Sequence, residues 1–129
     1  MRPQPLICVT DVEASSRWYQ RLLGCASAHG GSEYERLVCD DKLVLQLHNF
    51  EVEHHHGPLG NPGDKPYGNG VLLWFEVDDF DATMRRVDEL KADIVMPRHR
   101  NPNALHWECW LRDPDGYVVV LASRDGSAP

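Results

Sequence analysis

Val9-Thr10-Asp11-Val12-Glu13-Ala14-Ser15 and Val77-Asp78-Asp79-Phe80-Asp81-Ala82-Thr83 carry the same message twice. Each reads as the end of a strand, an acidic helix cap and a first helical turn. In the first copy Thr10 and Glu13 fit a capping box, and in the second Asp78 or Asp79 stands where a cap is needed. Apolar and small residues then recur at helical spacing: Val12, Ser16, Tyr19, Leu22 and Leu23 in one copy, Phe80, Met84, Val87 and Leu90 in the other.

Extended segments follow each helix. In the first half they fall near residues 26–30, 35–39 and 42–48, with Asp40-Asp41 as a tight turn. In the second they fall near 94–98, 105–112 and 117–123, with Asp113-Pro114-Asp115-Gly116 as a turn built from residues that favour one. Strands over 6–9 and 71–77 open the halves. The chain is therefore expected to be α+β, with two pseudo-symmetric β-α-β-β-β modules over about 4–50 and 71–124, forming a cupped mixed sheet in one domain spanning 1–129. The Gly/Pro-rich stretch between them, about 51–70, suits a connector.

The bulk numbers narrow the function. A chain of 129 residues has room for one domain. Twenty acidic against thirteen basic side chains leave a net charge of −7, which argues against nucleic-acid binding and permits a cationic ligand. No segment is long and apolar enough for a membrane span, and the first residues lack a signal-peptide core, so a cytoplasmic protein without membrane partners is expected. Cys8, Cys25, Cys39 and Cys109 are scattered, which fits reduced, structural thiols.

Two motifs add a resemblance that covers nearly the whole chain. The run Ser15-x-x-Trp18-Tyr19-x-x-Leu22-Leu23-Gly24 after a Val-x-Asp opening, and the closing Arg112-Asp113-Pro114-Asp115-Gly116-Tyr117, resemble the vicinal-oxygen-chelate superfamily. That group includes glyoxalase I, bleomycin-resistance proteins and extradiol dioxygenases. The resemblance implies that each module curls into a half-open cup, that two cups enclose a small-molecule site, and that the chain forms a homodimer. It also implies four metal-ligand positions, which fall here on Gln4, Gln46, Leu72 and Val120. The internal repeat superposes Gln4 on Leu72 and Gln46 on Val120. Leucine and valine have no donor atom, and two neutral carboxamides are weak ligands for a divalent ion. The inherited metal site is expected to be absent, and with it any cofactor. Glyoxalase, fosfomycin-resistance and dioxygenase activities all come into doubt.

Strand residues two apart share a face. Gln46 on the inner face brings Val44 and His48 with it; Leu72 brings Trp74 and Glu76. An aromatic that relatives place three residues before the turn Asp falls on Trp110, with His106 and Glu108 on the same side and Trp107 and Cys109 on the other. The expected ligand-binding lining is Gln46, His48, Leu72, Trp74, Trp110 and Val120, with His106 and Glu108 as candidate catalytic groups. Trp18 is expected in the core of the first half, and the His54-His55-His56 run in a solvated loop. Two functions compete. One is a metal-independent binder of an aromatic or cationic small molecule, which the tryptophans and the charge favour. The other is a glyoxalase-like lyase, isomerase or dioxygenase using a His/Glu acid–base pair, or a metal relocated to His48, His106 and Glu108.

Overall fold

The computed structural model describes residues 1–51 and 57–128; the His54–His56 run lies outside them. The chain divides into two compact units, Met1–Lys65 and Pro66–Pro129. The first unit contains β1 (Leu6–Val9), α1 (Val12–Leu23), β2 (Ala26–Ser27), β3 (Tyr34–Cys39) and β4 (Lys42–Asn49), in a sheet of order β1-β4-β3-β2. The second contains β5 (Leu72–Glu76), α2 (Phe80–Leu90), β6 (Asp93–Asn101), β7 (His106–Arg112) and β8 (Val118–Ala122), in the order β5-β8-β7-β6. Each is a mixed four-stranded sheet with one parallel pair, β1 with β4 and β5 with β8. This is the α+β duplication that the sequence reads.

The repeat extends to register. In the first sheet Leu6, Gln46 and Arg36 form one row across β1, β4 and β3. In the second, Trp74, Val120 and Trp110 form the matching row across β5, β8 and β7. The caps also correspond. Asp11 accepts from the Ala14 N–H at 3.0 Å and Asp79 from the Ala82 N–H at 2.9 Å. The N-cap of α1 is thus Asp11 rather than Thr10. Carboxylates at both sites also complement the positive end of the helix dipole.

The helices bury the faces their spacing marks: Val12, Ser16, Tyr19 and Leu22 in α1, Phe80, Thr83 and Val87 in α2. Beneath α1 lie Leu37, Leu45 and Leu47, all fully buried, and in the second unit Leu111, Val119 and Leu121 are likewise inaccessible. Trp18 departs from expectation. It is only half-buried and stacks edge-on against Tyr19, with centroids 4.9 Å apart, because the next position along the helix already takes the core-facing slot. The segment expected as a strand over 26–30 forms only two residues of ladder, since Gly30 and Gly31 turn the chain away at positive φ. Its counterpart β6 is nine residues long and irregular in register at two points.

One buried charge ties the first unit together. Glu35, on the helix-facing side of β3, accepts from Ser16 Oγ of α1 at 2.8 Å and Ser27 Oγ of β2 at 2.7 Å. It also accepts from the backbone N–H groups of His29, Gly30 and Arg36. Burial alone would raise its pKa, but these bonds together outweigh burial and hold the carboxyl at about 2. A carboxylate depressed from an ordinary 4.5 stabilises the fold above that pH, and the contribution disappears as pH falls toward 2. Glu35→Gln should therefore cost about 3 kcal/mol at pH 7 and flatten the acid limb of the stability–pH curve. Urea titrations between pH 7 and 2.5 measure both; an unchanged acid limb would contradict the assignment.

Candidate functional site

Alternation along β7 sends His106, Glu108 and Trp110 to the sheet face opposite α2, and turns Cys109 and Leu111 into the core beneath the helix. The same rule places Leu72, Trp74 and Glu76 of β5, and Val118, Val120 and Ala122 of β8, on that open face. Register then fixes neighbours. Trp74, Val120 and Trp110 share one row, and Glu76, Ala122 and Glu108 the next. Trp74 meets Trp110 nearly at right angles, with centroids 6.4 Å apart and an interplanar angle of 76°. Its ring centroid lies 6.0 Å from that of His106. Trp74 remains 46% exposed, whereas Val120 beneath the pair is fully buried.

Glu108 is the hub of this face. Its Oε2 accepts from Asn101 Nδ2 at 2.7 Å and lies 2.5 Å from His106 Nε2. Its Oε1 accepts from the Trp110 indole N–H at 2.8 Å and lies 3.4 Å from His99 Nε2. The other nitrogen of His106, Nδ1, lies 2.9 Å from Asp125 Oδ1. Glu108 and His106 are both buried, while Asp125 is open to solvent. A ring flanked by two carboxylates satisfies both only as the imidazolium, which donates on each side. Burial works against that charge, but the bonds to Glu108 and Asp125 outweigh it and raise the His106 pKa above its usual 6.5. For Glu108, too, burial would raise the pKa; bonds from Asn101, His106 and Trp110 win and pull it down to about 2.

Three of these partners escape the sequence. His99 and Asn101 reach Glu108 because the β6–β7 register pairs them with Glu108 and His106, and that pairing is shifted twice along the ladder. Asp125 follows the last strand. It is brought to His106 by a segment folded onto the β6–β7 turn, where the Gly126 N–H donates to Ala104 O, the Ala128 N–H to Leu105 O and Arg100 Nε to Ala128 O. No spacing rule announces any of them.

Gln46 and His48 stand on β4 of the first unit, on the face that also carries Tyr34 and Arg36. The carboxamide oxygen of Gln46 accepts a short hydrogen bond from the Tyr34 hydroxyl, and its nitrogen donates to Gln4 O at 3.0 Å. His48 Nδ1 lies 2.9 Å from Asn49 O. The four positions at which relatives would hold a metal do not fit one. Leu72 and Val120 offer no donor atom, Val120 is buried, and the Gln46 oxygen is already committed. Among the described residues no group of three or more His, Cys, Asp or Glu is gathered to hold an ion. The cysteines form no disulfide among the described residues, and burial pushes the thiols of Cys8, Cys25 and Cys109 up, Cys25 to about 11, so none of the three is an activated nucleophile.

The signs of the two shifts define a pH window. The His106 contribution to stability is complete below 6.5 and is lost as pH rises through its raised folded value; that of Glu108 is complete above 4.5 and is lost as pH falls toward 2. The ion pair is strongest between those limits. Replacing Glu108 by Ala strands a buried imidazolium and should cost about 3 kcal/mol or more. Glu108→Gln should bring the His106 pKa, read from imidazole proton shifts, down toward or below 6.5. A His106 that titrates identically in both proteins would refute the coupling.

Comparisons with known proteins give the wider setting. Residues 3–121 match the model of the Glyoxalase/Bleomycin resistance protein/Dioxygenase superfamily. Among solved structures, the chain is similar to a lactoylglutathione lyase from Agrobacterium tumefaciens, with 19% identity over 95% of this chain and 92% of that one and a TM-score of 0.70. It is similar to TioX from Micromonospora sp. ML1, with 18% identity, 96% and 98% coverage and a TM-score of 0.74. It also resembles the fosfomycin resistance protein FosX from Mesorhizobium loti, with 17% identity, 95% and 90% coverage and a TM-score of 0.65. No curated protein sequence matches it significantly. At such identities the neighbours speak to fold alone, but the family match runs through both modules, and the chain belongs to the glyoxalase/bleomycin resistance protein/dioxygenase superfamily.

Proposed function

We propose that this protein is a metal-independent small-molecule binding protein, which holds an aromatic or cationic ligand on the Trp74–Trp110 face of its second unit. The observation that carries the reading is the division of labour on that face. Both nitrogens of His106 and both oxygens of Glu108 are spent on neighbours, so neither group is free to exchange a proton with a substrate. What remains open is aromatic surface. Trp74 is half-exposed, and Trp110 is held in place by its indole bond to Glu108. Ring faces of this kind take planar or cationic partners, and Glu76 and Asp125 lend the face negative charge, that of Glu108 being balanced by the His106 imidazolium.

Leu72 and Val120 form its apolar border. Gln46 and His48, on the β4 face of the first unit, are proposed as ligand contacts in their own right, and residues 1–129 are taken as one domain. A cytoplasmic homodimer is the proposed working form; no helix among the described residues is long and apolar enough to cross a membrane. The competing reading, a glyoxalase-like enzyme, draws support from the 2.5 Å contact between His106 and Glu108, an acid–base pair if Asp125 or Asn101 releases it.

Tryptophan fluorescence titrations with aromatic and cationic metabolites separate the two. A binder shows saturable quenching that Trp74→Ala weakens about tenfold or more, and returns every ligand unchanged. His106→Ala should then shift affinity only. Turnover of a bound ligand, abolished by His106→Ala, would establish the enzyme instead. Zinc, nickel, manganese and ferrous ions should leave the melting temperature unchanged; one tightly held ion per chain would overturn the metal-independent reading.

A further inference from the structure

We propose that the open face of the first unit binds a carboxylate group of a small molecule, with the Arg36 guanidinium as its anchor. This face belongs to a different unit from the Trp74–Trp110 corner, and nothing in its chemistry depends on the role proposed there. In register, Arg36 holds in the row Leu6–Gln46–Arg36 the place that Trp110 holds in the row Trp74–Val120–Trp110. Where the second unit presents an indole, the first presents a cation.

That cation has no acidic partner. Arg36 is partly buried, and its guanidinium reaches only the Tyr34 hydroxyl, from Nη1 at 3.5 Å; among the described residues it makes no ion pair. A guanidinium carries five N–H donors in a planar fork, so most of them are left to water or to a ligand. The strands of this face supply no acid either. Glu35 is the one carboxylate on β3; it lies on the helix-facing side and is spent on Ser16, Ser27 and three backbone N–H groups. Neither β1 nor β4 contains an Asp or Glu. Arg36 also lines an open cleft of about 700 Å3, bordered by Arg2, Gln4, Asp40, Asp41 and Lys42. Arg2 is held there because Pro5 O and Gln4 O accept from the backbone and side-chain nitrogens of Gln46, at 2.9 and 3.0 Å, which lays the first residues along β4.

Charge and geometry then select the ligand. Arg2, Arg36 and Lys42 against Asp40 and Asp41 leave the cleft with one net positive charge, in a chain whose total is −7. The two aspartates form the exposed β3–β4 turn, both at positive φ, and neither makes an ion pair among the described residues, so they act on a ligand only through solvent, which screens them. One net charge and a planar fork match one planar carboxylate, bound through two parallel N–H···O bonds. A phosphate dianion calls for more donors, and no helix N-terminus borders the cleft to supply them. The Tyr34 hydroxyl donates to the Gln46 oxygen and accepts from Arg36, which steadies the fork before a ligand arrives and reduces the cost of ordering it.

The test uses the full chain at constant ionic strength and follows the Arg36 Nε–H resonance, assigned by its loss in Arg36→Lys. Acetate and benzoate should shift it saturably, chloride should leave it in place, and inorganic phosphate should bind more weakly than either carboxylate. Arg36→Gln, with its melting curve matched to the parent, should weaken both carboxylates about tenfold or more, read from the backbone amides of Lys42 and Gln46. Arg36→Lys keeps the charge without the fork and should recover only part of the affinity. Asp40→Asn combined with Asp41→Asn, a residue that tolerates positive φ, should tighten both carboxylates. An Arg36 resonance that carboxylates move no further than chloride does, an Arg36→Gln protein that binds them as tightly, or a preference for phosphate would each overturn the proposal. Benzoate that moves only the indole resonances of Trp74 and Trp110 would overturn it too, while leaving the role of the aromatic face intact.

Discussion

A carboxylate taken out of water has to find donors for its lone pairs, and each half of this chain is organised around meeting that demand. In the first unit Glu35 gathers two serines and three backbone N–H groups, and so fastens α1, β2 and the loop behind them to β3. In the second, Glu108 gathers Asn101, His106 and Trp110. The physics is the same and the outcome differs, because the two residues point to opposite faces. Glu108 corresponds in register to Tyr34, not to Glu35: it sits two residues before Trp110 as Tyr34 sits two before Arg36. A displacement of one residue along a strand carries a side chain through the sheet. One glutamate therefore staples a helix down, while the other sets an aromatic face in position.

On that face a histidine beside a glutamate admits a structural reading as well as a catalytic one. His106 and Glu108 stand two apart on one strand, the spacing an acid–base pair would use. Yet each is saturated by neighbours, and both pKa shifts favour the permanently charged pair over a proton in transit. A lowered carboxyl and a raised imidazole are what a close His–Glu ion pair shows. A general base working near neutrality needs its pKa close to the working pH.

Much of the fold was legible in the sequence because duplication supplies an internal control. Caps, helices and terminal hairpins recur in order, so weak local signals reinforce each other. Errors fell where local rules compete. Thr10 and Asp11 both suit a cap, and only the backbone geometry chooses Asp11. Trp18 is large and apolar, but Tyr19 occupies the buried stripe. On the face itself, strand alternation alone places Trp74, His106, Glu108 and Trp110 side by side. The partners that determine their chemistry come through long-range register and through a segment folded back after the last strand, and neither leaves a periodic trace.

The two halves also differ in length, at one place. Arg36 follows Asp11 by 25 residues, whereas Trp110 follows Asp79 by 31. The additional chain lies between helix and third strand, where the two-residue β2 of the first unit becomes the nine-residue β6 of the second. His99 and Asn101 belong to that longer strand. Here the two copies differ in frame as well as in side chains, and the longer β6 brings Asn101, one of the donors that make a buried charge tolerable. In such a duplication a difference in length counts as much as a substitution, and the longer repeat has room for a specificity that the shorter one lacks.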